Sequence, residues 1–340
     1  MHKKNTFKFK SLNYYIFIYI IKFKYVFLNK IKMDSQKIPS LTVIKIINHG
    51  PFKYIILAYD NIKDKKVIVK RIKLINKKLD KEFEILSDLK NIPNVIQLSD
   101  FFLTSINNVI IQNFVFPFIY SNLESYIEEY SLKNKHISIT TIKKITFQLL
   151  NGINIIHHKK IIHRNINPSN ILIDENENVY ISGFSSAIYL EDENGKIKEN
   201  LNPLIGTRYY MAPELLLSKS NYDYKIDMFS LGCLIAELFT LKPLFMGKNI
   251  GLQFFEYLLV LPKPENNYFK EFNLSMLTLD LIKYLNEFKA YSLRDIIDPE
   301  NYYPINDIDN VTDLLHNLLN MDYTKRYNSD KAIEHKFVKV

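Results

Sequence analysis

The chain changes its hydrophobic pattern once, near residue 120, and this change constrains the fold more than any other feature of the sequence. Between residues 41 and 119, short runs of β-branched and aromatic residues alternate with turn-forming residues, which is typical of an antiparallel sheet. Residues 79–90 instead carry apolar side chains at helical spacing. Beyond Asn122, helical spacing dominates. The order predicts an α+β, two-lobed fold: a small antiparallel β lobe with one helix, followed by a larger, mainly α-helical lobe.

The same periodicities place individual elements. The predicted strands include residues 42–47, 54–59, 66–70 and 109–116. The predicted helices include residues 79–90, 123–130, 142–157 and 225–239. The chain therefore divides into an N-terminal extension of residues 1–40, a β lobe of residues 41–119 and a helical lobe of residues 120–340.

Composition narrows the class of protein. The 340 residues are 47% hydrophobic and 24% charged, so the chain can bury a large core. A single cysteine, Cys233, excludes an internal disulfide and suits a reducing compartment, so we expect an intracellular protein of the cytoplasm or nucleus. The formal charge of +9 comes from lysine in a chain rich in Lys, Asn, Ile and Tyr. We interpret this charge as compositional bias and expect no nucleic-acid partner.

The N-terminal extension allows two interpretations. Residues 12–21 are nearly all apolar or aromatic, but Lys22 and Lys24 interrupt the run. A spanning helix needs about 20 uninterrupted apolar residues, so this run is short and charged. Basic residues precede it, which is compatible with a signal-like or interfacial anchor. The favoured alternative is that the protein starts at Met33, and membrane contact is expected only if residues 1–32 are translated.

Two short segments carry most of the functional information. Residues 163–170 read His-Arg-Asn-Ile-Asn-Pro-Ser-Asn, and residues 181–185 read Ile-Ser-Gly-Phe-Ser. They resemble the catalytic loop, HRDxKxxN, and the metal-binding segment, DFG, of eukaryotic protein kinases, in the family's order and spacing. Asn165 and Gly183 replace the two aspartates of that pattern. Asn167 replaces the lysine that would meet the γ-phosphate.

These replacements remove the charges on which the family's chemistry depends. An asparagine is not a base near neutral pH, and its amide has no charge to attract a cation. General-base catalysis is typically worth about 10² to 10⁴-fold in rate, and the metal contributes more. We therefore expect no intact catalytic residue and no bound metal, with Asn170 as the remnant of the second metal-binding side chain.

The β lobe carries remnants of a nucleotide site. Residues 48–55 resemble the glycine-rich loop, in which only the middle glycine, Gly50, survives. The resemblance makes Lys70 the phosphate-pairing lysine and Glu82 its partner on the helix. Other positions that would line the adenine site are Ile55, Ile68, Phe116, Ile119 and Leu172. Ile68 stands where the family has a small residue and should narrow the pocket. The expected cofactor is none, or ATP bound weakly and without metal.

Structural positions of the family are better preserved. The resemblance implies a stack of four side chains, Leu86, Leu98, His163 and Phe184. It makes Asp227 the residue that anchors this stack. It also implies a buried ion pair between Glu214, in the motif Met-Ala-Pro-Glu, and Arg326, and such a pair is costly to break.

Residues 183–214 resemble the activation segment of the family. In regulated kinases the arginine at the position of Arg164 binds a phosphate on this segment. Here the segment carries its own acidic cluster, Glu191, Asp192 and Glu193. Our hypothesis is that one of these carboxylates, or none of them, meets Arg164, so that the geometry is fixed without phosphorylation. The favoured alternative is that the cluster is a solvated loop tip, since an Asn-Gly turn follows it.

The motif of residues 206–214 is typical of the CMGC group, which contains cyclin-dependent kinases, MAP kinases, glycogen synthase kinase and casein kinase 2. Residues 82–100 and 222–228 are most similar to the casein kinase 2 catalytic subunit. A cyclin-dependent kinase-like identity is the alternative, although the cyclin-binding helix signature is absent.

The sequence thus predicts a pseudokinase that acts as a scaffold or allosteric regulator of a protein partner, such as an active kinase or a regulatory subunit. The alternative is an active serine/threonine kinase with displaced carboxylates, for which Asp174 and Glu175 are the nearest candidates in sequence. Their position suggests a turn beyond the loop of residues 163–170. A membrane-tethered scaffold is a third hypothesis, and it depends on residues 1–32.

Overall fold

The computed structural model describes residues 40–50, 53–74, 79–106, 109–192, 194–265, 268–272, 274, 280, 282, 284 and 291–339. They form two compact units. The first unit holds the described residues up to Leu79 together with Leu98–Phe118, and the second holds Asp80–Gln97 and the chain from Ile119 onward. The apolar run of residues 12–21 lies outside the described residues, so the hypotheses about it remain predictions.

A five-stranded antiparallel sheet makes up the first unit. Its strands are β1 (Leu41–His49), β2 (Lys53–Asp60), β3 (Lys65–Lys73), β4 (Asp100–Ile106) and β5 (Val109–Pro117). They lie in the order β1-β2-β3-β5-β4, and every neighbouring pair is antiparallel. The four predicted strands are present and extend a few residues further. Strand β4 was not among them.

The two faces of this sheet differ in their packing. One face carries an apolar cluster that includes Ile56, Val67, Val69 and Val115. Alternate residues point the other way, because side chains along a strand alternate between faces. Lys70 lies on that opposite face, paired across the sheet with Ile55 and Phe114. The register therefore groups the nucleotide-site candidates of the β lobe on one face.

The second unit is mainly helical. Its helices are α1 (Lys81–Asp88), α2 (Leu123–Leu132), α3 (Ile139–His158), α4 (Pro213–Leu216), α5 (Lys225–Thr240), α6 (Ile250–Val260), α7 (Leu293–Ile297), α8 (Ile305–Leu318) and α9 (Ser329–Ile333). Its short strands are β6 (Ser121–Asn122), β7 (Ile161–Ile162), β8 (Ile171–Ile173), β9 (Val179–Ile181) and β10 (Ile188–Tyr189). Strands β6, β8 and β9 form one sheet, and β7 pairs with β10. The predicted two-lobed α+β fold is confirmed.

Polar caps explain where the helices begin. Asn122 accepts a hydrogen bond from the backbone NH of Ser125 at the start of α2, and Ser138 accepts one from Thr141 at the start of α3. Such caps satisfy NH groups that have no partner within the helix. The Ser138 cap starts α3 three residues earlier than the predicted 142. Asp80 likewise caps α1 through the NH of Glu82, so α1 is shorter than the predicted 79–90.

Helix α1 belongs to the second unit, although the sequence places it between strands of the sheet. Its apolar side packs against a helical turn formed by Phe184–Ser186. The segment that follows α1 also joins this unit, because the NH of Ile96 donates to the Ile181 carbonyl and the NH of Ile181 donates to that of Asn94. The predicted boundary at residue 119 therefore misses that Asp80–Gln97 belongs to the second unit.

Helix α5 forms the centre of the second unit. Every residue from Ile226 to Phe239 is buried. This rigid helix positions Asp227 beneath the loop of residues 163–170. Among the described residues, no helix is long and apolar enough to cross a membrane.

Candidate functional site: the 163–170 loop and the activation segment

Asp227 fixes the backbone of the 163–170 loop. Its carboxylate accepts hydrogen bonds from the backbone NH groups of His163 and Arg164, both at 2.8 Å, and lies 3.0 Å from His157 Nε2. Burial alone would raise the pKa of Asp227, but the hydrogen bond and charge of His157, together with His163, lower it below the usual range. The hydrogen bonds from the His163 and Arg164 backbone agree with the anchoring role expected of Asp227.

His163 links this anchor to the activation segment. Its ring contacts Phe184 edge-on with the ring centroids 4.9 Å apart, and its Nε2 lies 2.8 Å from the Ser182 carbonyl. Complete burial lowers the pKa of His163, so the ring is neutral and donates from Nε2. Leu86, on α1, is buried in the same unit, where α1 packs on the turn of Phe184. Leu98 belongs to the first unit, so its place in the stack remains a prediction.

The residue at the catalytic-base position, Asn165, lies in a closed network of neutral groups. Its Oδ1 accepts from Thr207 Oγ1 at 2.9 Å and from Asn167 Nδ2 at 3.0 Å. Asn167 is buried, and its Oδ1 accepts from the backbone and hydroxyl of Ser169. Among the described residues, no carboxylate bonds to Asn165, Asn167 or Asn170. The network holds the loop but contains no group that could take up a proton near neutral pH.

At the metal-binding position, Gly183 lies against the side chain of Asn170. Gly183 has φ of 81°, in the left-handed region that favours glycine. A Cβ atom on residue 183 would overlap the side-chain amide of Asn170, whose Oδ1 and Cγ would be its nearest neighbours. Asn170 Nδ2 donates to the Asn165 carbonyl at 2.9 Å, so its amide is held in this position.

These residues do not fit a magnesium site. Magnesium prefers carboxylate and other oxygen ligands in octahedral geometry. Gly183 provides no side-chain ligand, and Asn170 provides only the neutral oxygen of its amide. In the part of the chain that the structure describes, no group of three or more His, Cys, Asp and Glu side chains could hold a metal ion.

Asp174 has hydrogen-bond partners within its own turn. Its carboxylate accepts from the backbone NH groups of Asn176 and Asn178 and from the Tyr180 hydroxyl, which closes the turn between β8 and β9. Burial opposes ionisation, but these hydrogen bonds lower the pKa of Asp174. Glu175 is exposed in the same turn. The predicted turn position is confirmed, and neither carboxylate bonds to the 163–170 loop.

Arg164 meets neither Glu191 nor Asp192, the two residues of the acidic cluster that the structure describes. Its Nε donates to the Ser186 carbonyl at 2.6 Å, and its guanidinium also donates to the Tyr222 hydroxyl at 3.1 Å. Glu191 instead pairs with Lys160 at 3.1 Å. Asp192 accepts backbone NH groups of its own turn, and Glu193 lies outside the described residues. A carbonyl and a hydroxyl thus accept from the Arg164 guanidinium, and Glu191 and Asp192 bond elsewhere.

The expected ion pair between Glu214 and Arg326 is present. Two parallel bonds join the guanidinium to the carboxylate, at 2.7 and 2.9 Å, and both side chains are buried. Arg326 also donates to the carbonyls of Asn320 and Lys225. A buried bidentate pair with its remaining donors satisfied fixes the end of the activation segment to the C-terminal part of the unit.

Comparison with known proteins decides the family. The model of the protein kinase domain matches residues 41–338. The chain belongs to the protein kinase family. It is 33% identical over 309 residues to the "Probable serine/threonine-protein kinase glkA" of Dictyostelium discoideum, covering 90% of this chain and 60% of that protein. The chain thus spans less than two thirds of the length of that relative.

Other relatives are mitogen-activated protein kinases. The chain is 31% identical over 297 residues to mpkC of Aspergillus niger, with 86% of this chain and 69% of that protein covered. It is 28% identical over 298 residues to hog1 of Blastobotrys adeninivorans, with 86% and 68% covered. Mitogen-activated protein kinases are among the CMGC kinases that residues 206–214 resemble.

The remaining kinase positions are distributed over both units. In the first unit, Lys70 is buried with its Nζ 5.9 Å from the Phe114 ring centroid, and Ile68 pairs with Phe116 across the sheet. Gly50 donates to the Lys53 carbonyl at 2.8 Å, and a Cβ atom there would find ordinary contact distances. The second unit holds Glu82, Ile119 and Leu172. The pairing of Lys70 with Glu82 and the adenine site remain predictions.

Sequence reasoning missed three residues of this kinase site. They are His157, which lies against Asp227, Thr207, which donates to Asn165, and Tyr222, which accepts from Arg164. His157 falls among the apolar positions of α3. This pattern predicts that His157 is buried, but it does not identify Asp227 as its partner. Thr207 and Tyr222 lie in the recognised motifs of residues 206–214 and 222–228, but nothing in those motifs indicates partners that are 42 and 58 positions away.

Proposed function

We propose that this protein is a pseudokinase, a member of the protein kinase family that does not transfer phosphate and instead acts on a signalling partner as a scaffold or allosteric regulator. The observation that carries the proposal is the absence of any carboxylate from the hydrogen-bonded network around Asn165, Asn167 and Asn170 in the described residues. Phosphoryl transfer needs positioned charge to orient the hydroxyl and hold the metal. An amide network supplies neither.

The second unit keeps buried contacts that stabilise the kinase fold and do not depend on this chemistry. The Asp227 anchor, the contact between His163 and Phe184 and the pair of Glu214 with Arg326 all use buried groups with satisfied partners. A folded kinase scaffold without its reactive groups is suited to recognition. Its partner in this proposal is a protein, such as an active kinase or a regulatory subunit, and not a nucleic acid.

Nucleotide binding is weak or lost in this proposal. Lys70 remains for a phosphate, but Gly183 and the neutral amide of Asn170 leave no charged ligand for a metal. Any ATP would therefore bind without magnesium. Within the CMGC group we favour a casein kinase 2-like origin over a cyclin-dependent kinase-like one, on the motifs of residues 82–100 and 222–228. We place the protein in the cytoplasm or nucleus, with membrane contact only if residues 1–32 are translated.

Phosphoryl transfer by the purified full chain tests the proposal. We expect no incorporation of label from radiolabelled ATP into acidic or basic peptides. Lys70→Ala controls for a contaminating kinase, because only intrinsic activity should depend on Lys70. Turnover by the wild type that Lys70→Ala abolishes would contradict the proposal.

A restoration experiment sharpens this test. The double variant Asn165→Asp, Gly183→Asp returns both carboxylates. Asn134→Asp is the control, because it makes the same change of an amide to an acid at an exposed residue. Any gain should appear only in the double variant. It should be small, because Asn170 must move aside and Asn167 still replaces the lysine.

The second candidate function is an active serine/threonine kinase with atypical residues. The names of the relatives, a probable serine/threonine kinase and mitogen-activated protein kinases, favour it. The binding of Asp174 in the turn between β8 and β9 weighs against the displaced carboxylate that it would need. The assay with Lys70→Ala distinguishes the two candidates.

A further inference from the structure

The chain contains two Asn-Gly pairs, and the structure holds them in different ways. In this dipeptide an asparagine amide is readily lost as ammonia, because glycine has no Cβ to keep its backbone nitrogen away from the asparagine side chain. Asn151-Gly152 lies within helix α3, and Asn194-Gly195 lies in the activation segment. The two pairs therefore separate the effect of the fold on this reaction from the effect of the dipeptide itself.

The pair in α3 is protected from this reaction. Gly152 is buried, and a Cβ atom on it would lie 3.0 Å from the Asn94 carbonyl oxygen, so the backbone is closely packed there. The side chain of Asn151 is also held, because its Nδ2 donates to Asn94 Oδ1 at 3.1 Å. Inside a helix the backbone nitrogen bonds back along the helix and cannot approach the preceding side chain. Reaction at Asn151 thus requires α3 to unfold locally.

The pair in the activation segment lies in an exposed turn. Asn194 and Gly195 are both exposed, and nothing lies within 4 Å of a Cβ atom built on Gly195. The Gly195 nitrogen donates to the Asp192 carbonyl at 3.0 Å. Local opening of such a surface bond costs little. The nitrogen can therefore rotate toward the amide carbon of Asn194 without disturbing a packed core.

We propose that Asn194 is a site of spontaneous deamidation, which converts its amide into a carboxylate and opens the turn around Asp192. The Gly195 nitrogen attacks Asn194 Cγ, its proton passes through solvent to the amide nitrogen, and ammonia leaves. Water then opens the resulting succinimide at either carbonyl, which gives aspartate or isoaspartate. This inference goes beyond the proposed function, since the reaction does not depend on whether the chain transfers phosphate.

The turn depends on one oxygen of Asp192. Its Oδ1 accepts from the backbone NH groups of Asn194 and Lys196, both at 2.9 Å. Isoaspartate at residue 194 adds a methylene to the main chain between these two NH groups and misaligns them. Either product also places a new negative charge beside the Asp192 carboxylate, and like charges repel. The turn connects Glu191 to Ile197, which pair across it, so its opening loosens this part of the segment.

Ageing of the purified full chain at mildly alkaline pH tests the reaction. Mass spectrometry of the digested chain locates each amide that has become an acid. We expect deamidation at Asn194 to be at least about 100-fold faster than at Asn151, because only Asn151 must wait for a helix to open. In urea, which unfolds both pairs, the two rates should agree within about threefold.

Three outcomes of this experiment would overturn the proposal. The first is no deamidation at Asn194 in the folded chain. The second is equal rates at Asn194 and Asn151 in the folded chain. The third is a ratio of rates in urea as large as in the folded chain, because the neighbouring residues and not the fold would then cause the difference.

Two variants separate the reaction from its consequence. Gly195→Ala should slow deamidation at Asn194 about 10-fold, since a Cβ crowds the attacking nitrogen. Asn194→Gln is the matched control: it keeps an amide, but its longer side chain would have to close a larger ring. After ageing, hydrogen exchange at residues 194–198 should be about 10-fold faster in the wild type and unchanged in Asn194→Gln. Unchanged exchange in a wild-type sample that carries the acid at residue 194 would refute the opening of the turn.

Discussion

The Asn170 amide fills the space beside Gly183 in which a side chain would begin, and its Nδ2 donates to the Asn165 carbonyl. The two positions at which the kinase family holds its metal therefore meet in one space. One has lost its carboxylate, and the amide of the other lies where that side chain would begin, with its Oδ1 nearest. A side chain restored at residue 183 would therefore displace the Asn170 amide.

Gly183→Ala should lower the free energy of unfolding more than Gly195→Ala does. Both glycines have positive φ, at 81° and 75°, so both variants carry a backbone cost of about 1–2 kcal/mol. Only residue 183 faces the Asn170 amide, whereas nothing lies within 4 Å of a Cβ at residue 195. We expect an extra cost of about 1–3 kcal/mol for Gly183→Ala in urea unfolding. Equal costs would show that Asn170 moves aside freely.

Glu214→Gln should destabilise the protein by about 3–5 kcal/mol, because it leaves the buried guanidinium of Arg326 without its charge partner. Glu129→Gln is the control. Glu129 pairs with Lys133 on the surface of α2, where such pairs contribute about 0–1 kcal/mol. Thermal and urea unfolding of both variants provide the comparison, and a cost below about 1 kcal/mol for Glu214→Gln would refute the prediction.

Glu237 should make stability depend on pH. Burial raises its pKa to about 7 from the model-compound value of 4.5, although the hydrogen bond from Tyr210 opposes this rise. The folded state therefore holds a proton that the unfolded state has released between these values. Stability from this group is full below pH 4.5 and is lost as pH rises through about 7, by roughly 3 kcal/mol.

Glu237→Gln should remove this dependence. The stability difference between variant and wild type, measured by urea unfolding from pH 5 to pH 8, should shift in favour of the variant as pH rises. Tyr210→Phe removes the bond that lowers the pKa, so the loss should move to higher pH. A difference between Glu237→Gln and wild type that stays constant with pH would contradict the assignment.

Magnesium should add nothing to the binding of ATP. We expect any rise in melting temperature at millimolar ATP to be the same with magnesium and with a chelator, because Gly183 and Asn170 offer no charged ligand. Lys70→Ala should abolish the rise. Lys66→Ala, on the same strand, is its control and should retain it. A rise that appears only with magnesium would sink this prediction.

Much of this protein was determined by its sequence alone. The change from β to helical periodicity near residue 120 predicted the two-lobed α+β fold, because each periodicity reports locally which side of an element is buried. The replacements Asn165, Asn167 and Gly183 are visible without a structure, and so are the chemical limits of an amide. The pair of Glu214 with Arg326 followed from the family resemblance.

Only the tertiary structure decided the partners. Arg164 binds Ser186 and Tyr222 and neither Glu191 nor Asp192, and Asp88 accepts a hydrogen bond from the hydroxyl of Tyr189. Residues separated by tens of positions meet only after the loops between them have closed, and local periodicity contains no information on that closure. The amide of Asn170 beside Gly183 is the same case on a shorter scale, because its position depends on how β8, β9 and the 163–170 loop pack together.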